Sequence, residues 1–185
     1  LPRIPLSIEK PKESNDINIG GTLNTLIASR DAGVKRFIYA ASSSAMGSNA
    51  KLPMREDAPC QPLNPYALQK YAGELYCKIF YDIYGLKTVS LRYFNVYGPR
   101  QPREGAYMPV IGIFLTQKSQ KKSLTVTGDG EQTRDFTHIY DVVRANVLAM
   151  ESDKAGKGEV INIGGGRNHS INAIAKLVVG EISHI

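Results

Sequence analysis

Along the chain, stretches whose apolar residues recur every three or four positions alternate with short contiguous apolar runs. That alternation predicts helices interleaved with buried strands, and so a parallel α/β sheet rather than a helical bundle. Residues 14–32 (SNDINIGGTLNTLIASRDA) carry Ile17, Leu23, Leu26 and Ile27 at helical spacing, with Ser14 as a candidate cap and Gly33 as the stop. RFIYA at 36–40 reads as a buried strand, and 42–65, rich in Ser, Gly and Pro, as a loop. A helix is predicted over 65–84, because Asn64 can cap it, Pro65 suits the first helical position and Gly85 ends it. Further on, strands are expected at 87–92, 124–127 and 160–163, and helices at 109–119, 139–150 and 170–179.

Composition narrows this picture modestly. With 185 residues, 42% hydrophobic and 22% charged, the chain has apolar material for one compact domain or one large lobe. The longest apolar runs are far below the 18 residues of a membrane span, and LPRIPLSIEKPKE lacks the pattern of a secretory signal, so the expected location is cytoplasmic. Cys60 and Cys77 stand apart with no histidine cluster nearby, which predicts reduced thiols and no metal. The formal charge of +6 favours phosphate-bearing ligands in general. The basic residues are scattered, however, and no nucleic-acid motif accompanies them.

Candidate chemistry centres on NPYALQK at 64–70. Tyr66 and Lys70 are four apart, which on a helix stacks them on one face. A free tyrosine has a pKa of about 10, and a fixed cation nearby favours its phenolate, a usable base near neutral pH. Taken alone the pair is weak evidence, because 10 tyrosines and 13 lysines in 185 residues give roughly 0.7 such pairs by chance. A partner lies upstream in ASSSAMG, a serine-rich turn after the strand RFIYA, where parallel sheets bind ligands and a hydroxyl both donates and accepts a proton.

The ordered set ASSSAMG, NPYALQK, LRYFNVYGPRQ and GDGEQTRDFTHIYDVVRA resembles the extended short-chain dehydrogenase/reductase family, in its NAD-dependent nucleotide-sugar epimerase and dehydratase branch. The resemblance implies a partial Rossmann-like parallel sheet over about 1–95 and a mixed part over about 96–185 that includes segments of a smaller substrate-binding lobe. It implies NAD as cofactor and a UDP-sugar as substrate. In that scheme Tyr66 is the base, Lys70 holds the nicotinamide ribose, and Ser42 and Ser43 face the sugar, with Ser42 bonding the hydroxyl to be oxidised. Oxidation at carbon 4 gives a transient keto-sugar, and hydride return to the opposite face inverts the centre. Tyr93 and Phe94 lie where the family's backbone passes the nicotinamide. Asn95 and Arg134 match diphosphate contacts and Arg100 is a further phosphate candidate, a role for which a planar guanidinium is suited. Thr125 lies in a segment that meets uridine through its backbone.

Sugar dehydratases of this branch carry an acidic residue, often an Asp-Glu pair, where Ser43 and Ser44 stand here, so epimerisation is favoured over dehydration. Met46 departs from the family's usual tyrosine before Gly47. No G-x-G-x-x-G or related glycine loop occurs in these residues. With the abrupt ends, this leads us to expect a piece of a larger enzyme of the UDP-sugar 4-epimerase lineage. The alternatives at this level are a non-catalytic assembly or binding module, or another nucleotide-sugar conversion such as dehydration or decarboxylation. The resemblance also implies a homodimer built on helices 14–32 and 65–84. Gly164–Gly166 lack the spacing of a phosphate loop and read as a turn.

Overall fold

The computed structural model describes residues 1–47, 52–102 and 108–185, so part of the predicted 42–65 loop lies outside the described residues. In chain order the first elements are α1 (Ile4–Glu9), α2 (Pro11–Asn15), α3 (Gly21–Asp31), β1 (Phe37–Ser42), α4 (Pro65–Tyr84), β2 (Thr88–Tyr93) and β3 (Val96–Tyr97). They continue with α5 (Val110–Ser119), β4 (Leu124–Val126), β5 (Thr133–Asp135), β6 (Thr137–His138), α6 (Ile139–Glu151), β7 (Glu159–Ile163), β8 (Asn168–Ser170), α7 (Ile171–Val178) and β9 (Ile182–His184). Two units result: Leu1–Tyr93 with Val143–Ile163, and Phe94–Val142 with Gly164–Ile185.

The first unit is built on a parallel sheet of order β1-β2-β7. β2 lies between the other two strands and is buried over five of its six residues, as its near-continuous apolar and small side chains require. Leu26 of α3 and Cys77 and Phe80 of α4 pack with Tyr39 and Ala41 of β1, while Val89 and Leu91 of β2 pack with Ala149 of α6. The α/β architecture expected from the hydrophobic pattern is therefore present. At Gly73 an added Cβ would stand 2.2 Å from the Tyr39 hydroxyl oxygen, so the missing side chain lets α4 lie directly on β1.

Local signals set α4 as expected. The Asn64 side chain accepts from the Ala67 N–H at 2.9 Å, Pro65 occupies the first turn, and Gly85 closes the helix at φ 69°. The predicted 14–32 helix begins instead at Pro11, and passes through a wide π turn at Asp16–Gly20 before α3. Ser14 does not cap it: the residue is fully buried inside the helical run and its hydroxyl donates to Gln69 Oε1 at 2.8 Å. The opening residues contain α1, for which no helix was predicted.

The second unit holds a parallel β3-β6 pair, a parallel β4-β9 pair and an antiparallel β5-β8 pair. Phe114, Leu124, Val126, Ile171, Ile174 and Ala175 form its core. Strands of two or three residues are too short to show a period of two, and β3, β5, β6, β8 and β9 escaped the sequence reading for that reason.

Candidate functional site

Parallel strands deliver their carboxyl ends to one edge, and β1 and β2 are in register from Phe37↔Thr88 to Ser42↔Tyr93. Ser42 thus ends β1 beside Tyr93, just before the tight helical turn Ser43–Met46. Ser42 is buried, its Oγ donates to Ser44 Oγ at 3.0 Å and accepts from the Ser44 N–H at 3.3 Å. Ser43 opens that turn and is half-buried.

α4 packs on β1 and on the Ser43–Met46 turn. Tyr66 is buried in its first turn. Lys70 Nζ donates to the Ala40 carbonyl at 2.8 Å and lies 5.1 Å from the centre of the Tyr39 ring. Burial pushes the Lys70 pKa below its ordinary value, because an ammonium loses hydration there. Ala40 and Ser42 are two residues apart, about 7 Å along a strand, and Tyr66 and Lys70 are one helical turn apart, about 6 Å. The Lys70–Ala40 bond therefore ties the first turns of α4, which carry Tyr66 and Lys70, to β1 two residues before Ser42. Tyr93 turns its ring into the cluster around Leu91 and Ala149, and its hydroxyl accepts from Asn146 Nδ2 at 2.9 Å. Burial also raises the Tyr93 pKa.

The remaining candidates belong to the second unit. Phe94 is half-buried. Asn95 is exposed at φ 33°, and its Nδ2 donates to the Asp135 carbonyl at 2.8 Å. Arg100 is exposed at φ 67°. Arg134, exposed on β5, donates through Nη1 to the Thr133 carbonyl at 2.7 Å. Thr125 is held on both sides by one side chain: its N–H donates to Gln117 Oε1 at 3.1 Å, and its hydroxyl accepts from Gln117 Nε2 at 2.7 Å.

Two anchoring residues were missed by sequence reasoning. Glu74, one turn after Lys70, is buried and takes a two-pronged bond from Arg92 of β2, Nε to Oε1 at 2.9 Å and Nη2 to Oε2 at 2.7 Å. Its place at i+4 from Lys70 was the available signal. Asp135 accepts the N–H groups of Gly165 and Gly166 at 2.6 and 2.9 Å. An added Cβ on Gly165 would meet the Phe136 carbonyl oxygen at 2.7 Å, so the triple-glycine loop is shaped to close on its own chain's carboxylate. Nothing in the local sequence couples residues 135 and 165.

Among known proteins, the family model of the NAD-dependent epimerase/dehydratase family matches residues 1–164. A putative UDP-glucose 4-epimerase of Methanocaldococcus jannaschii is 40% identical over 177 residues, covering 95% of this chain and 56% of that protein. The structure of a UDP-N-acetylglucosamine 4-epimerase from Methanobrevibacter ruminantium, in complex with UDP-N-acetylmuramic acid, matches with a TM-score of 0.94 at 37% identity, over 100% of this chain and 60% of that one. The UDP-glucuronic acid 4-epimerase of Bacillus cereus, in complex with UDP-glucuronic acid and NAD, matches with a TM-score of 0.85 at 35% identity, over 100% of this chain and 59% of that one. The chain spans between half and two thirds of the length of these proteins.

Proposed function

This chain belongs to the NAD-dependent epimerase/dehydratase family, and we propose that in the complete protein it carries the base, hydroxyl and ammonium that invert carbon 4 of a UDP-sugar. The observation that carries this reading is the Lys70–Ala40 bond, which holds the Tyr66 turn of α4 against the end of β1 where Ser42 sits. Ser42 orients the 4-hydroxyl, since a serine oxygen keeps a lone pair and a rotatable proton. Tyr66 takes the hydroxyl proton as carbon 4 is oxidised and returns it when the carbonyl is reduced again. Lys70 sets a positive charge one turn from that base.

The residues fit the nicotinamide end of NAD. Among the described residues one of the three ammonium protons of Lys70 goes to Ala40, which leaves two for ribose hydroxyls, and Ser42 lies at the carboxyl end of a parallel strand. NAD, when bound, supplies the acceptor and donor of hydride for carbon 4. In the second unit, Arg134, Asn95 and Arg100 are proposed to meet the diphosphate, and Thr125 the uridine. Ser43 and Ser44 favour epimerisation over loss of water: neither is an acid, and the Ser44 hydroxyl accepts from Ser42.

We also propose that the complete protein pairs with a second copy through α3, the preceding helical run and α4. Leu68, Leu75, Ile79 and Ile83 form an apolar row, each 45–68% exposed, along the outer side of α4.

The test is turnover of UDP-sugars by the complete protein with NAD, followed by NMR of the sugar. Inversion at carbon 4 is expected. A 4-keto-6-deoxy or decarboxylated product would replace this reading with another. Tyr66→Phe is expected to lower kcat by about 10³-fold, as loss of a positioned base does, with the UDP-sugar Kd changed less than about threefold. Undiminished turnover would remove Tyr66 from its role.

A further inference from the structure

We propose that Ser7, a fully buried serine 59 residues before Tyr66, is a positioning residue for that tyrosine; the inference rests on Tyr66 being the base. A helix begins with backbone N–H groups that have no partner inside it. In α4, Pro65 has none to satisfy, the Ala67 N–H goes to Asn64 Oδ1 at 2.9 Å, and the Leu68 N–H goes to the Asn64 carbonyl at 3.1 Å. The Tyr66 N–H is taken by a side chain from outside the helix, Ser7 Oγ of α1, at 3.1 Å.

The geometry at Ser7 is directional. Its own proton is given to the Ile4 carbonyl at 2.7 Å, so the oxygen faces Tyr66 only as an acceptor. The same turn is held on two further sides. Gln69 Oε1 accepts from Ser14 Oγ at 2.8 Å and from Asn18 Nδ2 at 2.7 Å, and Lys70 is tied to Ala40. Ser7 acts on the backbone N–H of Tyr66 itself. Without it, a buried N–H either stays unpaired or draws the first turn out of line, and the distance from Tyr66 to Lys70 and Ser42 changes with it.

The experiment compares Ser7→Ala and Ser7→Cys with the unaltered protein, each as the complete chain with NAD. Cysteine has nearly the shape of serine and a poor acceptor, so it reports on the bond if alanine disturbs folding. In Ser7→Ala, kcat falls at least tenfold, KM for the UDP-sugar changes less than twofold, and the acid limb of the kcat–pH profile moves to higher pH as the base separates from Lys70. Ser7→Cys shows the same changes to a smaller degree. Amide hydrogen exchange gives a readout that needs no turnover: the Tyr66 N–H exchanges at least tenfold faster in Ser7→Ala, while that of Cys77, mid-helix, does not change. Asn64→Ala is the control for general fraying, because it uncovers the Ala67 N–H instead. Unchanged Tyr66 protection would overturn the proposal, as would a kcat loss that only follows the folded fraction with an unmoved pH profile. Turnover retained in Tyr66→Phe would instead remove the base itself, an outcome the exchange data keep separate.

Discussion

At the scale of residues, the proposed chemistry depends on one row of α4 in which Tyr66, Lys70 and Glu74 follow one another by single turns. Glu74 and Arg92 are each 2% exposed, so their bond lies in an interior where losing one partner strands the other's charge. We expect Glu74→Ala to lower unfolding free energy by about 3–5 kcal/mol in urea titration, and Glu74→Leu combined with Arg92→Leu to recover most of that, because the pair's desolvation cost vanishes with both charges. A double variant as unstable as the single one would show that the pair itself, rather than an uncompensated charge, holds α4 to β2. Tyr66, Lys70 and Ser42 stood out in the sequence as candidates because their residue types announce chemistry at motif spacing. Ser7 and Asp135 did not, because each is recognised only by a partner 59 or 30 residues away, and Glu74 offered only its i+4 place from Lys70, its Arg92 partner lying 18 residues on.

Elements divide along the same line. The ends of α4 were readable from Asn64, Pro65 and Gly85, all of which act within one turn. The start of the preceding helical run was misread because Ser14 looks like a cap, and only Gln69, 55 residues on, shows where its hydroxyl goes. What α4 presents outward is also an element-level property. Leu68, Leu75, Ile79 and Ile83 follow helical spacing from residue 68 to residue 83, about 24 Å of helix. In the proposed pairing a second copy turned end for end would offer the same row, so apolar side chains would meet along its length. Each leucine or isoleucine so buried contributes about 1.5–3 kcal/mol, and the symmetry counts each twice. Leu75→Asp with Ile79→Asp is therefore expected to convert a dimer into a monomer at micromolar concentration in sedimentation velocity, with the sheet intact by circular dichroism. A complete protein already monomeric at tens of micromolar would refute the pairing.

For the molecule as a whole, the hydrophobic pattern disclosed the class of fold, because alternating periods survive errors of a few residues at each boundary. It did not disclose that two separate stretches of chain make up each unit, since the strand pairings responsible join residues as distant as Val89 and Glu159. Burial in these units also sets how stability varies with pH. Tyr39, Tyr93, Cys60 and Cys77 are acids whose pKa burial raises, Cys77 up to about 12 from an ordinary value near 9. Between those two values the unfolded chain has released the Cys77 proton and the folded chain keeps it. The folded state thus loses about 1.4 kcal/mol of stability per pH unit from this group as pH rises, while below pH 9 the contribution is complete. Lys70 acts in the opposite sense: its lowered pKa makes the unfolded chain the one that holds more protons just below 10.5, so its own contribution grows with pH there. With Cys77 and the three other buried acids all acting in the direction of loss, unfolding free energy is expected to decline from pH 9 upward. In Cys77→Ala, urea titrations between pH 9 and 10.5 are expected to show a decline shallower by about 1.4 kcal/mol per unit, whatever constant loss the smaller side chain brings. An unaltered slope would mean that the Cys77 thiol meets solvent before the fold opens, and that the α4–β1 layer is looser than its packing implies.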